Sequence, residues 1–167
     1  MKVLGNLPLL LALLMISGCT SVVPIPDLSH GQPIGNPLDA YARVLKTYVN
    51  ERGQVDFAKL QQQHTDLDTY VAYIAQLPAT TISNPDTRLA HYINSYNALS
   101  MYNVLASGIP KTHAGLAKIR FFYLREFLIG GKEMSLYSYE NDVIRKLNEP
   151  RLHFALNCSA LGCPILP

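Results

Sequence analysis

The sequence predicts an α+β domain: a helical N-terminal part, a small sheet with a hairpin, and a strand leading into a cysteine-containing motif. Three observations predict it. Apolar residues recur at helical spacing through the first half of the region beyond the leader. A Gly130-Gly131 pair, able to supply the positive φ angles of a tight turn, separates two short runs that read as paired strands. Past Pro150 the period changes to alternation, with Leu152, Phe154 and Leu156 interleaved with His153, Ala155 and Asn157, as in a half-buried strand.

The 167 residues fit one domain, and 49% hydrophobic against 16% charged residues is enough to bury a core. A net charge of +2 without a Lys/Arg stripe argues against a nucleic-acid partner. No cofactor fingerprint occurs: there is no phosphate loop, dinucleotide turn or Gly-x-Ser-x-Gly elbow.

Residues 1–18 read as a leader. Lys2 gives the positive start, and Val3 to Ile16 is an almost continuous apolar run. That run is too short to span a bilayer and right for a signal peptide. Ile16-Ser17-Gly18-Cys19 looks like a bacterial lipobox. The likeness implies cleavage before Cys19 and acylation of its thiol and new amino group. Several acyl chains anchor a protein stably where one is marginal. The expected partner is therefore the membrane, through Cys19, in the bacterial cell envelope. Thr20 in place of an Asp points to the outer membrane, facing the periplasm. Residues 19–37, with Pro24, Pro26, Pro33, Gly35 and Pro37 in no period, read as a tether to a domain over 38–167.

The domain opens with a helix over Asp39 to Val49, with apolar Tyr41, Val44, Leu45 and Tyr48, begun at Pro37-Leu38 and stopped by Gly53. Val55-Asp56-Phe57 is a short extended piece before a second helical start at Ala58. Leu67, Tyr70, Val71, Ile74 and Leu77 make a further helix, ended by Pro78. Asn84-Pro85-Asp86 opens the longest helix, about Thr87 to Ala106, closed by Gly108 and Pro110. Asn94 and Asn97 share one of its faces. Asn is a poor helix-interior residue, so two on one face either stitch the helix to neighbouring backbone or orient a catalytic group or ligand. Phe121 to Ile129 is aromatic and β-rich. Ser135 suits the N-cap of a helix to about Leu147 with stripe Leu136, Val143 and Leu147. Glu140 falls within that stripe. A carboxylate facing a core is paired, here with Arg120, Arg125 or Arg151, or it orients a histidine or serves as acid/base.

The densest chemical cluster is Arg151 to Pro164, with His153, Asn157, Cys158, Ser159 and Cys163. Ser159-Ala160-Leu161 reads as a helical turn, which would stabilise a Cys158 thiolate at its N-terminus. Three blocks, Ile93-Asn94-Ser95-Tyr96-Asn97-Ala98, then Ser135-Leu136 with Glu140 and Ile144-Arg145, then His153 to Cys158 with Cys163-Pro164, resemble the signature blocks of the domain of unknown function 547. The resemblance runs from about Leu38 to the end and implies an α+β domain, often on bacterial exported proteins, with no established activity. Its recurrent polar residues fall on Asn94, Asn97, Glu140, His153, Cys158 and Cys163. Two positions depart: His91-Tyr92 stand where relatives carry a Trp, and Asn141 where they often carry His. Relatives continue past the Cys-Pro, so the resemblance implies a chain truncated at Pro167.

Three chemistries are open. In the first, Cys158 is the nucleophile of a hydrolase or acyltransferase, with Asn94 or Asn97 as orienter or oxyanion donor and Glu140 and His153 in the site. Five residues of strand put His153 about 16 Å from Cys158, so His153 is the base only if the chain bends; otherwise His91 serves. In the second, Cys158 and Cys163 form a disulfide in an oxidising compartment, and the domain is a binding or scaffolding module. In the third, His153, Cys158 and Cys163 hold a metal, though the spacing is not that of a structural zinc site and no fourth ligand is evident, so no metal is expected. Neither substrate nor protein partner follows from the sequence.

Overall fold

The computed structural model describes residues 20–28, 35–112, 114–159 and 163–166. The leader and Cys19 lie outside the described residues, as does most of the turn expected at Ser159-Ala160-Leu161.

Helix α1 (Pro37–Tyr48) starts where the Asn36 side chain accepts the Leu38 N–H at 2.9 Å and Pro37 occupies the first turn, where its missing N–H costs nothing. It buries Ala40, Tyr41 and Val44 against α3 (Thr65–Gln76). Tyr41 stacks on Tyr70 of α3 at 4.6 Å. Helix α1 ends at Tyr48, within one residue of the expected Val49. Val49 instead pairs with Val55, and Gly53 makes the turn between them at φ +69°. A Cβ on Gly53 would lie 2.7 Å from Ile165 Cβ, so this glycine also seats the C-terminal tail. The short α2 (Phe57–Gln62) is capped by Asp56 through the Lys59 N–H.

Helix α4 (Pro85–Ala106) runs through the centre of the molecule. Asn84 caps it, accepting the Thr87 N–H at 2.9 Å. From Ser95 to Met101 every residue is buried, because α2, α3 and the later helical segment all pack against it. A helix covered on all sides has no polar face, so each buried polar side chain on it must find a protein partner.

The sheet has three strands in the order β1 (Ser21–Val22), β2 (Arg125–Ile129), β3 (Lys132–Ser135). Strands β2 and β3 form the expected hairpin, with Phe127 opposite Met134 and Gly130 and Gly131 at φ +55° and +82°. The turn docks on the end of α3: Gly130 and Gly131 donate to the Ile74 and Ala75 carbonyls at 2.9 Å each, satisfying groups the helix leaves open. Strand β1, within the stretch read as a tether, lies parallel to β2, and Val23 donates to the Glu126 carbonyl at 2.8 Å. This extended segment covers what would otherwise be an open edge of β2.

Three segments differ from expectation. The first is Phe121 to Leu124, which is not strand. Helix α5 (Leu116–Ile119) runs into a π-helical turn over Arg120–Leu124, and the strand begins at Arg125. Burial of Phe121 and the bond from Asn103 Nδ2 to its carbonyl (2.9 Å) override the local preference. The second begins as expected, with Ser135 capping α6 (Leu136–Ser138), but continues as wide π turns over Tyr139–Ile144 and a tight 3₁₀ turn over Arg145–Leu147. The widened turns rotate the stripe, so Leu136, Tyr139 and Ile144 are buried and Leu147 is exposed. The third is the expected strand over 152–157. Leu152–Ala155 is one helical turn, α7, and only the residues after it are extended. Leu152 and Leu156 are both buried at i, i+4 spacing, and Phe154 is 77% exposed. Three apolar residues in five satisfied both periods, and the burial follows the helical one. The α+β class stands.

Candidate functional site

The C-terminal segment is held by amide side chains. Asn97, 4% exposed, donates from Nδ2 to the Ala155 carbonyl at 3.0 Å and accepts the Asn157 N–H on Oδ1 at 2.7 Å. One side chain thus satisfies the backbone on both sides of Leu156, as a neighbouring strand would. Asn157 extends the arrangement: Oδ1 accepts the Ser159 N–H at 2.7 Å and Nδ2 donates to the Pro164 carbonyl at 2.5 Å. Ser159, at φ +59°, shares a hydrogen bond with Ser100 of α4 at 3.0 Å. Cys158 and Cys163 are joined by a disulfide with Cα atoms 5.9 Å apart, closing the loop that these bonds hold.

Glu140 sits one layer away, its side chain 19% exposed. It pairs with Arg145, not with Arg120, Arg125 or Arg151. Arg145 donates from Nε at 2.9 Å and from Nη2 at 2.5 Å to Oε1, and Tyr96 of α4 donates its hydroxyl to Oε2 at 2.8 Å. In an α-helix residues five apart diverge, but the π turn bonds the Arg145 N–H to the Glu140 carbonyl and brings the pair onto one side. Burial, and then the adjacent Glu140 charge, push the Tyr96 phenol well above its ordinary range, so it remains a donor.

These groups surround an open cleft of 530 Å³. It is lined by Tyr96, Glu140 and Arg145, by His153, Cys158 and Cys163, and by the aromatic rings of Phe122, Tyr123 and Tyr137. A larger cleft of 830 Å³ lies between the Val49–Val55 turn and the C-terminal tail and shares Cys163. We take the smaller as the candidate site because it gathers the charged, phenolic and imidazole groups of the three sequence blocks. Its volume is within the range of small-molecule sites.

Of the residues singled out from sequence, Glu140, His153, Cys158 and Cys163 therefore meet at one cleft. The helical turn at 152–155 supplies the bend that lets His153 and Cys158 share it. Asn97 lies beneath, committed to backbone, which is the stitching role among its two readings. Asn94 is half-buried and lines neither cleft. His91 does not line them either: it is buried against Tyr73 and Tyr92, with Nε2 unpartnered among the described residues, and burial lowers its pKa. Among the described residues no three His, Cys, Asp or Glu side chains gather as a metal site. Tyr96 and Arg145 were missed as site residues. Tyr96 carried only a core signal, and Arg145 becomes a partner of Glu140 only once the π turn is known. Asn103 was missed as well: it holds the Phe121 carbonyl and accepts from Arg125 at 2.8 Å, and a third Asn in one helix was the available signal.

No curated protein and no solved structure matches the chain. The profile of the family described as "Protein of unknown function, DUF547" matches residues 80–167, which takes in α4, the hairpin, the Glu140 turn and the cysteine loop. With more than half its length matched, the chain belongs to the DUF547 family.

Proposed function

We propose that the protein is a lipid-anchored component of the bacterial cell envelope, held through Cys19 at the periplasmic side of the outer membrane. Its DUF547 domain then acts as a binding module. The observation that carries this reading is the Cys158–Cys163 pairing: a disulfide sulfur is not a thiolate and cannot open an acyl transfer. The pair serves instead to fix one wall of the cleft. Mass spectrometry of envelope-derived protein, alkylated without reductant, tests it. The expected result is no modification of either cysteine and labelling of Cys19 by palmitate, lost in Cys19→Ser. Alkylation of Cys158 well below pH 8 sinks the binding-module reading; palmitate labelling that survives Cys19→Ser sinks the anchor.

A second reading has one observation in its favour: His153 and Cys158 line the same cleft. If the disulfide is open in the cell, Cys158 is the nucleophile of a hydrolase or acyltransferase and His153 its base. Asn97 is then a positioning residue, because both ends of its amide are occupied. Cys158→Ser abolishes turnover of acyl substrates in that case, and full turnover in the variant removes it.

A further inference from the structure

We infer that the cleft over Tyr96 is a site for an acidic saccharide, a sugar ring bearing a carboxylate; this rests on the binding-module reading above. One wall is aromatic. Tyr123, from the π turn after α5, and Tyr137, from α6, stack at 4.4 Å with an interplanar angle of 28°. Both stay partly open to solvent, at 45% and 42% exposure. Each ring orders the other, so the platform has little side-chain freedom left to lose when a ligand settles on it. The C–H face of a sugar packs against such a wall while its hydroxyls need donors and acceptors around the edge. The phenol groups supply both. Beside them, Asn141 donates Nδ2 to the Tyr137 carbonyl at 2.9 Å, which leaves its Oδ1 as an acceptor.

The cleft also carries cations. Arg145 commits Nε and Nη2 to Glu140, leaving its Nη1 donors for a ligand. Lys118 lines the same cleft and forms no ion pair with the described residues. Two cations, Lys118 and Arg145, and one carboxylate, Glu140, leave one formal positive charge around the cleft. A singly charged carboxylate matches it and accepts the Arg N–H groups directly. A doubly charged phosphate overshoots it and meets the Glu140 charge, and a neutral sugar leaves Lys118 unanswered.

The test is calorimetric titration of the full, disulfide-intact chain with four probes. N-acetylmuramic acid has ring and carboxylate, N-acetylglucosamine the ring alone, benzoate a carboxylate without the sugar, and inorganic phosphate a divalent anion. The expected result is binding of N-acetylmuramic acid about tenfold tighter than any other probe. Lys118→Glu and Tyr137→Ala each weaken it by about tenfold, with circular dichroism unchanged in both and the melting midpoint unchanged in Lys118→Glu. No binding, equal binding of the two sugars, or an affinity untouched by Lys118→Glu overturns the inference. Tighter binding of benzoate or phosphate overturns the saccharide while leaving a binding module in place. An alkylatable Cys158 in the same sample overturns the module reading itself.

Discussion

The helical layer of α1, α3 and α4 and the C-terminal segment from Arg151 onward are held by different means. In the first, regular backbone satisfies its own hydrogen bonds, and Tyr41, Val44, Leu67, Tyr70, Ile74 and Leu99 only have to exclude water. In the second, one helical turn and an irregular loop have few backbone partners. Asn97 and Asn157 supply them, a Ser100–Ser159 hydroxyl pair ties the loop to α4, and a disulfide closes it. The cleft lies where the two regimes meet, with Tyr96 of α4 from the regular side and His153 and the cysteines from the irregular one. The contrast predicts that the regions fail separately.

Truncating the core gives the largest effect. Leu67→Ala, at a fully buried site, should cost about 4 kcal/mol and lower protection from hydrogen exchange throughout the helical layer. Asn97→Ala comes next, at about 3 kcal/mol, because it leaves the buried Asn157 N–H and the part-buried Ala155 carbonyl without a partner. Its exchange signature should be local, with residues 152–158 losing protection and α1 and α3 keeping theirs. Uniform loss across both regions would show that they are one cooperative unit.

Reducing the disulfide is milder. The cysteines are five residues apart in sequence, and closing so short a loop restricts the unfolded chain by about 2 kcal/mol. Thermal melts with and without reductant should differ by that amount, with α1–α4 helicity intact below the transition. A midpoint indifferent to reductant would mean that the amide bonds alone define the loop.

The same contrast explains what was legible in the sequence. The stripes Tyr41/Val44 and Leu67/Tyr70/Val71/Ile74, the Asn84-Pro85 start and the Gly130-Gly131 turn are local signals, and each marks its element within a few residues. The family blocks marked Glu140, His153 and Cys158, which do share a cleft. What stayed hidden depends on tertiary partners. The π turn at Tyr139–Ile144 sets which residues are buried and joins Glu140 to Arg145, yet nothing in the local spacing announces it. The strand read over 152–157 is a helical turn and then an extended step, and the step is held by Asn97, 58 and 60 positions away in sequence, which supplies the bonds a neighbouring strand would have made. Asn94, three residues from Asn97 on the same helix, shows that a shared face does not confer a shared role.

The smallest effect sharpens the comparison through pH. His91 is buried in the helical layer, its ring edge-on to Tyr73 at 5.9 Å and its Nε2 unpartnered among the described residues. Burial lowers its pKa from the ordinary 6.5, so below about pH 6.5 the unfolded chain binds a proton that native His91 resists. Stability is therefore full above that pH, falls as pH drops towards the native pKa, and levels off below it. The C-terminal segment depends on amides, a hydroxyl pair and a disulfide, none of which titrates in this window. Mild acid should thus lower exchange protection in α3 and α4 while residues 152–158 keep theirs, with a smaller drop in midpoint than reduction produces. In His91→Phe, which keeps the ring packing on Tyr73 and Tyr92 and removes the titration, the difference should vanish. What slope remains belongs to other groups, among them Asp68, whose carboxyl burial pushes up and whose effect has the opposite sign. A slope unchanged in His91→Phe would assign the acid sensitivity to groups other than His91 and remove this account of the pH contrast between the two regions.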